Sequence, residues 1–316
     1  MFVFIKIFTD FVTFNLFKLQ EGTRIAEAVN FFIYDTIKIF ILLTVIIFII
    51  SILRSFLPKE KIKKILSHKN KYTGHFLAAV FGIITPFCTC SAIPLFLGFL
   101  EAGVPLGVTF TFLVASPMIN EVAAILLIST FGIKIGIIYI LSGLIIAIIS
   151  GLFIGHLQVE SLIENLDYNK NSSNTIYKNW SERINYAKIY TLKIIKKVWL
   201  YIIIGVGLGA YLHGYIPTDF LAQYAGNDKW YAVPFAVILG IPLYSNAAGI
   251  IPLISVLTEK GVSIGTTLAF MMAVTGLSFP EFMILKRIMK PKLIIIFASI
   301  VGFGIILTGY LFNFIL

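Results

Sequence analysis

The two cysteines of this 316-residue chain, Cys88 and Cys90, are separated by one residue and lie between Pro86 and Pro94. Thiolates are soft ligands that favour Cu(I), Zn²⁺ and similar thiophilic species, and trivalent arsenic resembles these in its chemistry. Two thiols at this spacing in a turn can face one cavity, so the pair predicts a binding site for a soft metal or metalloid. The alternative is that both side chains pack a tight turn, because a free cysteine behaves as a small hydrophobe.

Two carboxylates, Glu121 and Glu281, lie inside stretches that are otherwise apolar. Placing an ionisable side chain within a membrane is costly, and such a group normally faces a cavity or a proton path. We therefore predict that both carboxylates couple transport to an ion gradient. For Glu281 the alternative is a structural ion pair with the basic residues at positions 286–292.

A second proline-bracketed stretch, residues 242–252, corresponds to the cysteine stretch and lies in the other half of the chain. Polar side chains in and near the two stretches are predicted to line one substrate site, and these are Ser91, Ser116, Asn120, Tyr244, Ser245 and Asn246. The same side chains can cap broken helices, whose terminal N–H and C=O groups need partners. Helix-breaking prolines are predicted to shape two hairpin turns, and these are Pro86, Pro94, Pro242 and Pro252.

The composition places these groups in a membrane. The chain is 59% hydrophobic and 13% charged, whereas soluble domains average about 45–50% apolar and about 25% charged. Its net charge of +10 comes from short basic clusters between apolar runs, which is the pattern of cytoplasmic membrane loops and excludes a nucleic-acid-binding face. Residues 1–28 are predicted to form an interfacial segment. His75 and His213 lie near the ends of apolar segments and are predicted to be interfacial, not ligands.

Apolar segments divide the chain into two transmembrane halves, residues 29–156 and 194–316, joined by a polar cytoplasmic linker at 157–193. Long apolar runs at 31–53, 104–130, 133–155, 194–212, 262–285 and 293–314 are predicted to cross the membrane. The runs 72–84 and 91–100, and likewise 230–239 and 249–257, are too short to cross about 30 Å at 1.5 Å per residue. Each short pair is predicted to form a re-entrant helical hairpin.

The two halves repeat at an interval of 158 residues. Pro94, Glu101, Gly103, Gly107, Thr109, Phe112 and Ala115 recur as Pro252, Glu259, Gly261, Gly265, Thr267, Phe270 and Ala273. Basic clusters at 54–71, 170–193 and 286–292 are predicted to be cytoplasmic, and the matching loops of the other half carry less basic charge. This asymmetry predicts inverted halves, both termini outside, and paired hairpin tips near the membrane midplane, as in secondary transporters.

The motifs resemble those of a predicted-permease family that includes YraQ-type and ArsP-type proteins. They are Pro-Phe-Cys-x-Cys with Ile-Pro-Leu at 86–95, Glu-x-Gly at 101–103, the run from Phe112 to Asn120 containing Ala-Ser-Pro, Gly240-Ile241-Pro242 and Glu259-Lys260-Gly261. The resemblance covers most of the chain from residue 40 onward. It implies a multi-spanning permease of the cytoplasmic membrane, and its ArsP-type branch exports trivalent organoarsenicals with cysteines implicated. The second half contains no cysteine, and Tyr244 and Asn246 lie in the stretch where cysteines would repeat, which excludes a symmetric four-thiolate site.

The resulting prediction is an all-α, polytopic membrane protein with two inverted repeats, each combining spans with a re-entrant hairpin. Its predicted function is that of a secondary transporter, an exporter that moves a small solute, with a thiophilic metal or metalloid as one class. The alternatives are an intramembrane thiol redox protein or enzyme using the Cys-x-Cys pair, and a membrane component that needs a soluble partner. We predict no cofactor. The predicted partners are the bilayer and a small-molecule or ion substrate, with a homo-oligomer left open and no nucleic acid.

Overall fold

The computed structural model describes residues 2–56, 71–84, 89–119, 121–163, 179–215, 229–243, 247–286 and 288–316. Regular structure in these ranges is helical, apart from an isolated antiparallel bridge between Ile163 and Met289. Four described helical stretches are long and apolar enough to cross a membrane: Arg24–Ile49, Ile133–His156, Ile264–Leu285 and Pro291–Ile315. A bent pair of helices, Leu106–Met118 and Ala123–Phe131, provides a fifth if it is one span.

The helices follow the chain in two similar series. The first comprises α1 (Phe2–Asp10), a π-helix (Phe11–Leu16), α2 (Arg24–Phe56), α3 (Lys71–Ile84), α4 (Thr89–Glu101), α5 (Leu106–Met118), α6 (Glu121–Phe131) and α7 (Ile133–His156). The second, after a 3₁₀ turn at Glu160–Leu162, comprises α8 (Trp180–Tyr215), α9 (Ala232–Gly240), α10 (Ala247–Glu259), α11 (Ile264–Gly276), α12 (Phe279–Leu285) and α13 (Pro291–Ile315). Helices α4 to α7 and α10 to α13 begin at positions that differ by 158, so the sequence repeat is also a repeat of helix boundaries.

The turns after α4 and α10 are built alike. Gly103 has a φ of +77° and Gly261 a φ of +85°, a left-handed conformation that favours glycine. The following residues close the helix ends in the same way, because Val104 N–H donates to Phe99 O and Val262 N–H donates to Leu257 O. Both are Schellman-type ends, which turn the chain directly into α5 and α11.

The packing of α3 shows the direction of the helices around it. A Cβ atom at Gly107, early in α5, would lie 3.1 Å from the His75 ring of α3, and one at Gly82, late in α3, would lie 3.0 Å from Ala115. Helices α3 and α5 therefore run side by side in the same direction. Because the Schellman turn reverses the chain between α4 and α5, α4 runs opposite to both α5 and α3, and its Phe99 ring lies 6.1 Å from the Phe81 ring of α3.

Helix α7 packs against α5 in the opposite direction. Gly143, in the first half of α7, would place a Cβ atom 2.6 Å from Ile119 at the end of α5. Gly151, further along α7, would place one 2.6 Å from Gly107 O at the start of α5. A Cβ atom at Gly265 of α11 would likewise lie 2.3 Å from Gly309 O of α13. Small residues permit this close approach of helices in both halves.

Equivalent helices of the two halves pack against each other, as α2 with α8, α5 with α11 and α7 with α13. At two points a residue contacts its own equivalent. A Cβ atom at Gly276 would lie 3.7 Å from Met118, and one at Gly304 would lie 3.2 Å from Ile146. Helices α5 and α11 are buried along almost their whole length, whereas α7 and α13 bury one face against them.

Several sequence predictions need correction. The run 104–130, predicted as one span, contains two helices bent by 45° and is long enough to cross only if the pair counts as one span; the chain leaves the helical conformation at Ile119. Pro94, predicted to break a helix, lies inside α4, and Pro252 lies inside α10. His75, predicted to be interfacial, is 5% exposed within the protein. Helix α8 begins at Trp180, so the last part of the predicted linker is helical.

Candidate functional site

Both central helices are interrupted at equivalent positions. Helix α5 ends at Ile119, with φ −114° and ψ 57°, and helix α11 ends at Leu277, with φ −137° and ψ 30°. Ser278 is extended, with φ −68° and ψ 145°, before α12 begins. An interrupted helix exposes backbone N–H and C=O groups at membrane depth, which is tolerated where protein buries them or where they line a cavity.

A buried tyrosine connects the two interruptions. The Tyr139 hydroxyl of α7 donates a 2.6 Å hydrogen bond to Met118 O, a carbonyl at the end of α5. The same side chain is hydrogen-bonded to Thr275 near the end of α11, and Thr275 Oγ1 donates to Met271 O at 2.9 Å. Together with the contact between Met118 and Gly276, this chain of bonds brings the C-terminal ends of α5 and α11 to one place.

Glu281 lies in the first turn of α12, directly after the second interruption. It is 1% exposed, and neither of its carboxyl oxygens has a hydrogen-bond partner among the described residues. Ser278 is also 1% exposed, and its hydroxyl likewise finds no partner in the described part of the chain. The predicted alternative, an ion pair with the basic residues at 286–292, is not seen for the members of that group that the structure describes.

Glu121 begins α6, directly after the first interruption. It is half-buried, and its Oε2 atom is buried without a hydrogen-bond partner in the described ranges. Helix α6 packs against α10 of the other half, and α12 packs in turn against α4 and α8. Each carboxyl-bearing helix therefore lies beside the second helix of the hairpin predicted for the other half.

The C-terminal end of α9 reaches the second interruption directly. Phe279 N–H, at the start of α12, donates a 2.9 Å hydrogen bond to Ile241 O at the end of α9. Pro242 follows and is half-buried. This hydrogen bond places Ile241, at the start of the predicted hairpin turn, beside Phe279, which is two residues before Glu281.

The remaining predicted site residues are described unevenly. Ser116 is buried in α5, three residues before the interruption. Cys90 and Ser91 are the second and third residues of α4, and their side chains lie outside the described structure. The predicted residues that fall outside the described ranges are Cys88, Pro86, Asn120, Tyr244, Ser245 and Asn246. His213 is part of α8, and its side chain is likewise outside the described structure.

One buried polar pair was not predicted. His75 Nδ1 lies 2.7 Å from Thr111 Oγ1, and Thr111 Oγ1 also donates to Gly107 O at 3.2 Å. At the equivalent positions the second half has Val233 and Ala269, which surround Gly309 with apolar atoms. The first half thus contains a polar contact where the second half has an apolar one.

Tyr139, Thr275 and Ser278 are further residues of the site that were not predicted from the sequence. A signal existed for Ser278, because Ser-x-x-Glu before an apolar run is typical of a helix N-terminus and would have divided the run 262–285. Tyr139 and Thr275 carry no such signal, since their contact joins helices far apart in sequence. Within the described ranges, no group of three His, Cys, Asp or Glu side chains is arranged to hold a metal ion.

Comparison with known proteins agrees with this architecture. The sequence profile of a family described as "Predicted permease" matches residues 24–314. The chain belongs to this predicted-permease family. With several helices able to cross a bilayer, this permease is a multi-pass membrane protein.

Relatives of this permease come from archaea and bacteria. It is 24% identical to the UPF0718 protein MJ0584 of Methanocaldococcus jannaschii, over 78% of this chain and 86% of the relative. It is 26% identical to a putative two-component membrane permease complex subunit of Streptococcus mutans, over 79% of each chain. It is 25% identical to the UPF0718 protein YcgR of Bacillus subtilis, over 60% of this chain and 64% of the relative. No solved structure matches this permease.

Proposed function

We propose that this permease is a secondary transporter of the cytoplasmic membrane, and that its small solute binds where the two helix interruptions meet. The observation that carries the proposal is the convergence of α5 and α11 at Met118 and Gly276, each followed by a helix whose first turn bears a carboxyl group. Discontinuous helices near the midplane form the substrate and ion sites of many secondary transporters. Coupling to the ion gradient is assigned to Glu121 and Glu281.

An inverted relation between the halves is part of the proposal, and helix direction supports it. The Phe297 ring, early in α13, lies 5.5 Å from that of Phe110, early in α5, whereas Gly304 meets Ile146 at a level closer to the end of α5. Helix α13 therefore runs in the direction of α5, and α7 runs against it. Equivalent helices that run in opposite directions are expected of inverted repeats.

The proposed orientation places the basic segments in the cytoplasm. Lys290 N–H donates to Leu162 O, so the start of the linker and the 286–292 loop lie together. Cysteine labelling in intact cells should find positions 61, 178 and 290 inside and both termini outside. An external position 178 would refute the inverted arrangement.

The hairpins α3–α4 and α9–α10 are proposed to be re-entrant, with tips that face each other across the axis. Helix α3 has 14 residues and α4 has 13, which at 1.5 Å per residue is short of a core of about 30 Å. An experimental structure in a bilayer should place Cys90 and Asn246 near the midplane. Hairpin tips separated by intact spans would contradict the arrangement.

The substrate class we propose is a thiophilic metal or metalloid species bound by Cys88 and Cys90, with export as the direction of transport. Serine is nearly isosteric with cysteine, but its hydroxyl is a hard, un-ionised donor and cannot replace a thiolate. Cys88→Ser and Cys90→Ser should therefore each abolish As(III)-dependent thermal stabilisation of the purified protein while leaving its unliganded stability unchanged. As(III) binding by a Cys88→Ala, Cys90→Ala double variant would exclude the thiols from the site.

A second subunit is proposed as a further component, because the Streptococcus mutans relative is named as a subunit of a two-component permease complex. The direct test is reconstitution of this chain alone in proteoliposomes. We expect transport to require a second protein encoded by the same cell. Full transport by the purified chain alone would show that no second subunit is needed, and would leave the proposed site intact.

A further inference from the structure

We infer that Ser278 and Glu281 form a binding site for a monovalent alkali cation, with Na⁺ as the probe. The inference rests on the proposed transport function and names the ion that Glu281 would couple. It concerns three oxygen atoms: the Ser278 hydroxyl and both carboxyl oxygens of Glu281. Each is buried, and in the part of the chain that the structure describes none has a hydrogen-bond partner.

The two side chains stand at a spacing that places them on one face of the first turn of α12. Residues three apart in a helix turn lie on the same face, and Ser278 and Glu281 occupy the N-cap and third positions of α12. This is the spacing of a capping box, in which both side chains bond to the backbone of the first turn. Here Ser278 makes no such bond, and Glu281 makes none either. The pattern is present in the sequence, but its oxygens are left for another partner.

The chemistry of the three atoms selects the class of ligand. All are oxygens, and hard cations prefer oxygen ligands. One carboxylate balances a single positive charge, whereas a divalent ion would leave an uncompensated charge in a low-dielectric interior. The site lies between two helix ends: the C-terminal end of α11 presents carbonyl oxygens and a negative dipole end, which favour a cation, whereas the N-terminal end of α12 opposes one, so the charge of the Glu281 carboxylate must supply the attraction.

A proton satisfies this arrangement less well than a metal cation. Protonating Glu281 adds an O–H donor that in turn needs an acceptor, and it leaves the Ser278 hydroxyl as it was. Helices α4 and α8 pack against α12, and the Phe282 ring of α12 also contacts the Phe297 ring of α13. The titratable or charged residues of these helices, with the lysine that follows α12, are Glu101, Glu182, Arg183, Lys188, Lys193, Lys196, Lys197, His213, Lys286 and Lys292; none of those the structure describes bonds to Glu281.

The test is thermal unfolding of the full chain, purified in detergent, in NaCl and in choline chloride at equal ionic strength. Ligand that binds only the folded state stabilises it, and a hundredfold excess of Na⁺ over its Kd should raise Tm by about 5–10 °C. Ser278→Ala and Glu281→Gln should each lose this Na⁺-dependent rise. Both should remain folded in choline, because each removes a buried oxygen or charge that lacks a partner.

Thr36→Ala is the matched control, because the Thr36 hydroxyl is also buried without a partner in the described residues but belongs to α2. It should keep the full Na⁺-dependent rise. A wild-type Tm that responds to pH but not to Na⁺ would overturn the cation site in favour of a proton, and so would a rise that survives in both site variants. Solute flux in proteoliposomes is measured separately, so loss of the cation site and loss of the transport function give different results.

Discussion

The two helix interruptions lie at equivalent positions of the repeat and differ in the side chains that follow them. At both, the first helix ends after 13 residues at positions 158 apart, and the second begins three residues later. At the first, Glu121 is the opening residue of α6 and is half-buried. At the second, Glu281 is the third residue of α12 and is 1% exposed. A difference of two positions in a repeated frame thus moves the carboxyl from a partly accessible position to an enclosed one.

The repeat therefore determines where the helices are interrupted, and individual side chains then determine the chemistry at each interruption. An enclosed carboxyl without a partner needs a ligand to be stable, whereas a half-buried one can exchange protons with water. The two halves also differ beside the glycine contacts. The first half has the polar pair His75 and Thr111 there, and the second half has the apolar pair Val233 and Ala269 at the equivalent positions. Substitutions can separate what the frame provides from what these side chains add.

The largest expected effect comes from Glu281→Gln. The amide retains the volume of the side chain but cannot carry the charge that binds or exchanges an ion. We expect solute transport in proteoliposomes to fall about 100-fold, with expression and the Tm measured in choline chloride close to wild type. Transport within a factor of two of wild type would remove Glu281 from coupling.

Glu121→Gln is the comparison at the other interruption, and its effect should be smaller, about 5–10-fold. The variant should also flatten the pH dependence of transport, because Glu121 must gain and lose a proton as the site changes access and the amide cannot. An unchanged pH profile would exclude Glu121 from the mechanism. Equal losses in the two variants would show that the difference in burial has no functional consequence.

Blocking the glycine contacts should affect both halves alike. A Cβ atom at Gly107 would lie 2.5 Å from Gly151 O, and one at Gly265 would lie 2.3 Å from Gly309 O. Backbone atoms cannot rotate away, so Gly107→Ala and Gly265→Ala should each lower the free energy of unfolding by about 3 kcal/mol. The measurement is thermal unfolding in detergent.

Gly302→Ala is the control for these variants, because its nearest neighbour, Leu277 Cδ1, would be at an ordinary contact distance of 3.6 Å. Alanine is the better helix former by about 1 kcal/mol, so this variant should be as stable as wild type or more stable. Sensitivity in only one half would mean that the halves do not share their packing.

The helices could be predicted from sequence more completely than the site. Long apolar runs and the repeat of 158 residues located the long helices that the structure describes, since apolar length and proline spacing are local signals. The interruptions at Ile119 and Leu277 were missed because apolar residues continue across them. The contact of Tyr139 with α5 and α11 depends on how distant helices pack, which no local pattern contains, and the burial of His75 was missed for the same reason.

Tyr139→Phe tests the link between the two interruptions. It removes the donor to Met118 O and leaves that carbonyl without this partner. Hydrogen bonds between helices in membrane proteins contribute about 0.6 kcal/mol on average and up to about 1.7 kcal/mol. We expect Tyr139→Phe to lower the free energy of unfolding by an amount near the upper value.

Tyr310→Phe is the matched control, because the Tyr310 hydroxyl donates to Trp230 O at an exposed position. Its effect should stay below about 0.5 kcal/mol, and an equal effect of both variants would contradict a special role for Tyr139.

The smallest expected effect comes from replacing one buried polar pair of the first half with the apolar side chains found at the equivalent positions of the second half. His75 and Thr111 are equivalent to Val233 and Ala269, which pack beside the same glycine contact without any polar group. Thr111→Ala alone should cost about 1–2 kcal/mol, because it leaves His75 Nδ1 buried without its partner at 2.7 Å. Adding His75→Val removes the unpaired nitrogen, so the double variant should recover about 1 kcal/mol of that loss. A double-mutant cycle of unfolding free energies measures the recovery directly. Strictly additive losses would mean that the polar pair contributes nothing as a pair, and that the two halves differ here only in side-chain volume.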